Sequence, residues 1–206
     1  MRMSIVFCGT LILLGSILQA QRGQDETWVN PGVGPGAPTD LPTFVRSTDA
    51  GFVGVLEQVS VSFIDREQQW LFTSMRFRVS EWLYNGKPTA SVVDVLTIGG
   101  SFVQGGGQRT AKHPSDIADH LRKGSEYFVP IRYAKDASRP WYGSPMLAAV
   151  DALTELRDGR VLTVLPHARW AENVLAHTPT AQRAPGAPDS DRERFIAAMR
   201  AAGAAK

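Results

Sequence analysis

Between residues 113 and 120 the chain reads His113-Pro114-Ser115-Asp116-Ile117-Ala118-Asp119-His120, a short run in which imidazoles and carboxylates crowd together. On a helix, His113, Asp116 and His120 fall roughly on one side, so two ring nitrogens and a carboxylate oxygen can converge on a divalent cation. Such a centre would suit a metal-dependent hydrolase with those three residues as ligands. The same residues also make an ordinary solvated turn, with Ser115 as N-cap and carboxylates near the positive end of the helix dipole. No His-Glu-x-x-His signature accompanies them.

Trp82, Tyr84, Trp141 and Tyr142 form a second candidate set. Exposed side by side, the four rings would stack on sugars or apolar peptide groups and serve as a ligand-binding platform; rings at strand ends also commonly cover a small core. Arg76, Arg78, Arg109 and Arg132 would give a basic face, with Arg76 and Arg78 on one side of an extended segment. Nucleic acid is a poor match, because Lys and Arg total 22 against 20 Asp and Glu and no basic run occurs. For nucleophilic chemistry there is no Gly-x-Ser-x-Gly elbow, and Ser144, after Gly143, lacks the second glycine. His167 and His177 flank a late helical stretch and read as surface residues. Gly105, Gly106 and Gly107 lack the Lys-Ser/Thr ending of a phosphate loop. No cofactor is implied.

The elements that would carry these residues are mostly strands. Val53, Val55, Val59, Val61 and Phe63 alternate with polar residues, as do Leu71, Thr73, Met75, Phe77 and Val79 after a turn at Asp65-Arg66-Glu67-Gln68, which predicts a long hairpin. Glu81 to Tyr84 breaks the alternation, as a bulge would, and Asn85-Gly86-Lys87-Pro88 makes a turn. Val92 to Ile98 is a third strand, stopped by Gly99-Gly100. His113 to Arg122 predicts a short helix ended by Gly124. Tyr127, Val129, Ile131 and Tyr133 give another strand, which Pro130 assigns to an edge or a bulge. Lys135 to Pro145 is a loop. Val150 to Leu156 and Val161 to Leu165 flank Asp158-Gly159 as a hairpin, with a helix over Met146 to Leu156 as the alternative. Ala168 to His177 is helical, with Trp170, Val174 and Leu175 on one face.

Met1-Arg2-Met3, the apolar run Ile5 to Leu18 and the small residue Ala20 match the three regions of a secretory signal peptide, cut after Ala20. Residues 1–20 are therefore expected to be removed by Sec-type export, giving a periplasmic or extracellular protein that has no membrane association after cleavage. Cys8 is the one cysteine, so the mature chain would have neither disulfide nor thiol chemistry. Residues 21–50 read as a Pro/Gly-rich linker around Asn30-Pro31-Gly32-Val33-Gly34-Pro35-Gly36-Ala37-Pro38, in which Trp28 is the aromatic. Residues 51–165 make the domain and 166–180 a helical extension. Residues 181–206 read as a disordered tail able to form one short helix with Phe195, Ile196 and Met199 on one side.

The predicted fold is all-β: a small OB-like barrel or sandwich of five to seven strands with a short helical insertion, a late helix and flexible termini. Over residues 52 to 165, the hairpin, Glu81-Trp82-Leu83-Tyr84-Asn85-Gly86-Lys87, the Val92 to Ile98 strand, the glycine pair and Leu121-Arg122-Lys123-Gly124-Ser125-Glu126-Tyr127-Phe128-Val129 resemble uncharacterised secreted bacterial domains with an OB-like barrel. More distantly the pattern is similar to the netrin-type domain of metalloproteinase inhibitors. Those inhibitors chelate zinc through an N-terminal cysteine, which the mature chain would lack, so their mechanism is not implied. The expected function is a secreted, non-catalytic binding or interaction module for a protein or carbohydrate ligand in the envelope. The alternatives are the hydrolase above and an envelope scaffold docked through its C-terminal helix.

Overall fold

The computed structural model describes residues 40–65, 70–85, 90–103, 109–112, 117–165, 168–177 and 190–205. The expected signal peptide, most of the expected linker with Trp28, and His113, Asp116 and His167 lie outside them. The predicted all-β character holds: most of the described elements are strands, seven of them in one sheet, with a few helices.

The backbone of the fold is the predicted hairpin, β1 (Ala50–Asp65) and β2 (Trp70–Tyr84). Its register shifts at four places, one of which leaves Glu57 as an extra residue between Leu56↔Phe77 and Gln58↔Arg76. Each shift bends the ribbon and raises its twist. It also reverses which parity faces inward: Phe52 and Leu56 enter the inner core before Glu57, and Val59 packs there after it. Val53, expected in phase with Val59, consequently faces a second core on the other side. The bulge expected near Glu81 is present, since Phe52 opposes Trp82 while Gly51 opposes Tyr84 and Leu83 is passed over.

The third strand, β3 (Val92–Ile98), runs antiparallel to β2 with the expected bounds. A separate hairpin follows, β4 (Gly100–Val103) with β5 (Arg109–Lys112), then helix α2, described over Ile117–His120, which stops before the predicted end at Arg122 and is anchored by buried Ile117. The chain reverses at Gly124 into β6 (Glu126–Tyr133), followed by β7 (Pro145–Leu147), β8 (Thr154–Arg157) and β9 (Arg160–Thr163). The sheet order is β1-β2-β3-β7-β6-β8-β9, and β6 also pairs with β1. The β8–β9 hairpin turns on Asp158 (φ 52°) and Gly159 (φ 75°), the positive pair that a two-residue turn matched to strand twist requires. Strand rather than helix therefore wins after residue 153, while Val150–Ala152 forms one 3-10 turn.

Of the two expectations for Pro130, an edge or a bulge, the edge is corrected, and the ladder is instead interrupted locally. β6 has β1 on one flank and β7 and β8 on the other. The Pro130 carbonyl accepts from Ala148 N at 3.0 Å, so its missing N–H faces the short connection between β7 and β8, where the ladder is already interrupted. A proline is tolerated in a central strand because the partner changes there.

Three longer helices cover the outer side of β6, β8 and β9: α1 (Leu41–Ser47), α3 (Trp170–His177) and α4 (Asp191–Ala204). With Val53, Phe128, Leu156 and Val161 they enclose a second core centred on Trp170, whose ring lies 4.5 Å from Phe44 and 5.9 Å from Phe195. Helix α1 falls inside the span read as linker. Asp40 accepts from Thr43 N at 3.1 Å as its N-cap and Pro42 sits in its first turn, a start signal overshadowed by the Pro/Gly run before it. Helix α4 falls inside the span read as a tail and forms the anticipated helix, but docked, with Phe195, Ile196 and Met199 buried. Ser190 and Glu193 close a reciprocal capping box. Burial of each of those side chains contributes roughly 1.5–3 kcal/mol, which offsets the cost of ordering an otherwise marginal helix.

Candidate functional site

The four rings are distributed rather than gathered. Tyr84 is only 5% exposed, and its hydroxyl lies 3.0 Å from the Thr48 hydroxyl. Trp82 is half-buried against Phe52, at 5.1 Å between centroids, and its indole N–H donates to the Ala90 carbonyl. Trp141 is 2% exposed and packs on Phe72 at 4.8 Å. Tyr142 alone stands out, at 59%. The break in alternation at Glu81 to Tyr84 points to a bulge, but it carries no information about the helix that closes over Tyr84.

His113 and Asp116 lie outside the described residues, while Asp119 and His120 are exposed at the end of α2. Among the described residues no group of three or more His, Cys, Asp or Glu side chains is arranged to hold a metal ion. The four arginines also separate. Arg132 is half-buried and donates from Nε to the Ser47 carbonyl, tying β6 to the end of α1. The side chain of Arg109 is outside the described set.

Arg76 and Arg78 do share a surface, and both stand exposed on it. On the outer side of β1, β2 and β3, successive cross-strand pairs run Phe72↔Ile98, Ser74↔Leu96, Arg76↔Asp94 and Arg78↔Val92. The face is graded along its length. At one end Phe72, Met146 and Ala134 form an apolar cluster roofed by Trp141, with Leu96 and Ile98 partly exposed at its margin. Ser60 and Ser62 of β1 are exposed at the middle, and Ser74 is half-buried beside them. At the far end Arg76 holds Asp94 through two bonds, Nε–Oδ1 at 2.8 Å and Nη2–Oδ2 at 2.9 Å, and Arg78 Nε meets Glu57 at 3.1 Å. The two guanidiniums are matched by two carboxylates, so the face carries no net charge. Donating to Asp94 holds the Arg76 guanidinium still further above any ordinary pH.

The loop from Lys135 to Ser144 is fixed at its base and within. Ala134 and Gly143/Ser144 exchange backbone bonds of 3.0 and 2.8 Å, and Asp136 accepts from Ser138 N and Oγ and from Arg139 Nε. Those donors, Ser138 first, hold the Asp136 carboxyl below its usual range. The Arg139 guanidinium lies 5.7 Å from the Trp141 ring centroid. Exposed Tyr142 is thus carried on a braced loop whose Trp141 packs on Phe72 of the graded face. Sequence periodicity placed Arg76 and Arg78 on one side; the missing signal was that Asp94 and Glu57 come opposite them, which depends on strand register and on the bulge at Glu57.

Among the described residues no helix is long and apolar enough to cross a membrane. A scan of protein-family models finds none that matches the chain, and comparison with curated proteins finds no match.

Proposed function

We propose that the chain is an exported, non-catalytic binding module with an OB-like barrel, and that its ligand sits on the outer face of β1, β2 and β3. The barrel reading is supported by the pairing circuit β1-β2-β3-β7-β6 returning to β1, with the α2 turn between β3 and β6. Barrels of that kind bind ligands on the outer face of their second and third strands, beside the loops that border it. The export reading rests on the leader-like pattern of residues 1–20.

One observation carries the choice of face. Helices α1, α3 and α4 sheath β6, β8 and β9, whereas among the described residues no helix lies over Ser60, Ser74, Arg76 and Asp94. A face that keeps two ion pairs, one of them bidentate, together with hydroxyls and a braced tyrosine in water is prepared for a polar partner at little cost in ordering. Placing a photo-crosslinking residue at Ser74, and separately at exposed Glu172 on α3, tests this in the cells that make the protein. Adducts of one defined size from Ser74 and none from Glu172 are expected; equal adducts from both positions, or none from either, would overturn the face. N-terminal sequencing of the recovered protein is expected to begin at Gln21.

A further inference from the structure

Building on that reading of the face, we infer that its ligand is a neutral polyhydroxylated chain, an oligosaccharide, rather than a phosphate, an anionic polymer or an apolar peptide. The chemistry of the pairs points there. Arg76 commits two of its five N–H groups to Asp94, leaving outward donors beside carboxylate lone pairs that are still free to accept. Donor and acceptor therefore stand side by side at fixed spacing, which matches vicinal hydroxyls, each of which both gives and receives a hydrogen bond. Arg78 makes a second, single-bond pair with Glu57 on the β1 side, and Ser74 flanks Arg76 on the same face.

Charge argues against the other ligand classes. A phosphate or sulfate group would have to separate Arg76 from Asp94 or sit against an uncompensated carboxylate. An apolar peptide would bury both ion pairs without replacing the water they lose. A neutral sugar does neither, and its C–H face can lie on the exposed ring of Tyr142, where stacking adds to the hydrogen bonds.

The test is amide chemical-shift mapping of the purified protein titrated with cellohexaose, chitohexaose and mannohexaose, with a heparin hexasaccharide as the anionic counterpart. At least one neutral chain is expected to shift the amides of Ser60, Ser74, Arg76 and Asp94 in the millimolar range or tighter. The charge-balanced double variant Arg76→Met/Asp94→Leu, both residues being exposed, should keep the fold and weaken that binding tenfold or more; Tyr142→Ala should weaken it severalfold. Tighter binding of the heparin fragment at the same amides would overturn the neutral-sugar assignment while leaving the face as the ligand seat. No neutral chain shifting those amides, or shifts centred on α3 or α4, would overturn it outright. Adducts from Ser74 to a protein without glycan would do the same and still leave the binding-module reading standing.

Discussion

Tyr84 is held on three sides by requirements that act on single atoms. A Cβ on Gly203 would lie 2.4 Å from the Cβ of Tyr84, and one on Gly51 would lie 2.5 Å from its ring. Glycine at 203 lets the last turn of α4 settle directly on the tyrosine. Helix propensity alone says that Gly203→Ala should stabilise by about 1 kcal/mol. The contact reverses the sign, and a net loss of about 1–3 kcal/mol is expected, measured by denaturant unfolding. The same enclosure pushes the Tyr84 hydroxyl from 10.0 up to about 12, because burial disfavours the phenolate and outweighs the hydrogen bond with Thr48. Folded Tyr84 keeps a proton that an unfolded tyrosine loses near pH 10, so its contribution is whole below that value and is lost as pH climbs toward 12. Tyr84→Phe should abolish one late tyrosinate step in an ultraviolet titration. It should cost about 1 kcal/mol at neutral pH, since Thr48 still donates to the Val45 carbonyl. None of this was readable in the residue types, where Tyr84 stood as a strand-end ring of the same kind as exposed Tyr142.

Secondary elements were read best where period or turn chemistry is decisive. The β1–β2 ribbon, β3 and the Asp158-Gly159 hairpin announce themselves through alternation and a favoured turn pair. Helices α1 and α4 were harder, because a capped amphipathic segment says that it can be helical without saying what it packs against. In both cases tertiary burial decides: Phe44 and Phe195 meet Trp170 from different helices. Truncating that hub, Trp170→Ala, should cost about 3–5 kcal/mol and loosen α1, α3 and α4 together, which hydrogen exchange of their amides will record. Removing the cap with Ser190→Ala should cost about 1 kcal/mol and fray α4 from its first turn. Pro130 left an edge or a bulge open, and the interruption between β7 and β8 supplies the gap that an edge would.

At the scale of the molecule, two cores share β6, one inside the strand circuit and one beneath the helices. Helix α4 is joined to the strands by Arg192 with Glu126 and by Arg200 with Glu81, as well as by its apolar side. A chain ending before Ser190 should therefore lose its cooperative unfolding transition and bind hydrophobic dyes, rather than merely shed a docking element. The apolar side of α4 is already occupied by this chain's own core, which weighs against the scaffold alternative. Composition and pattern made the strand-rich class readable, and they placed Arg76 beside Arg78. They could not reveal the open face, which comes from where the helices lie. The pairing of Ala50 with Ile131 joins distant parts of the chain, so it must wait for a large loop to close. The β1–β2 ribbon can zip locally in roughly microseconds. Docking of β6, and with it both cores, belongs to the slow regime of roughly milliseconds to seconds typical of such topologies. During that interval both cores stand open to solvent, so the late arrival of one strand sets how long the polypeptide stays exposed to proteases and to other chains.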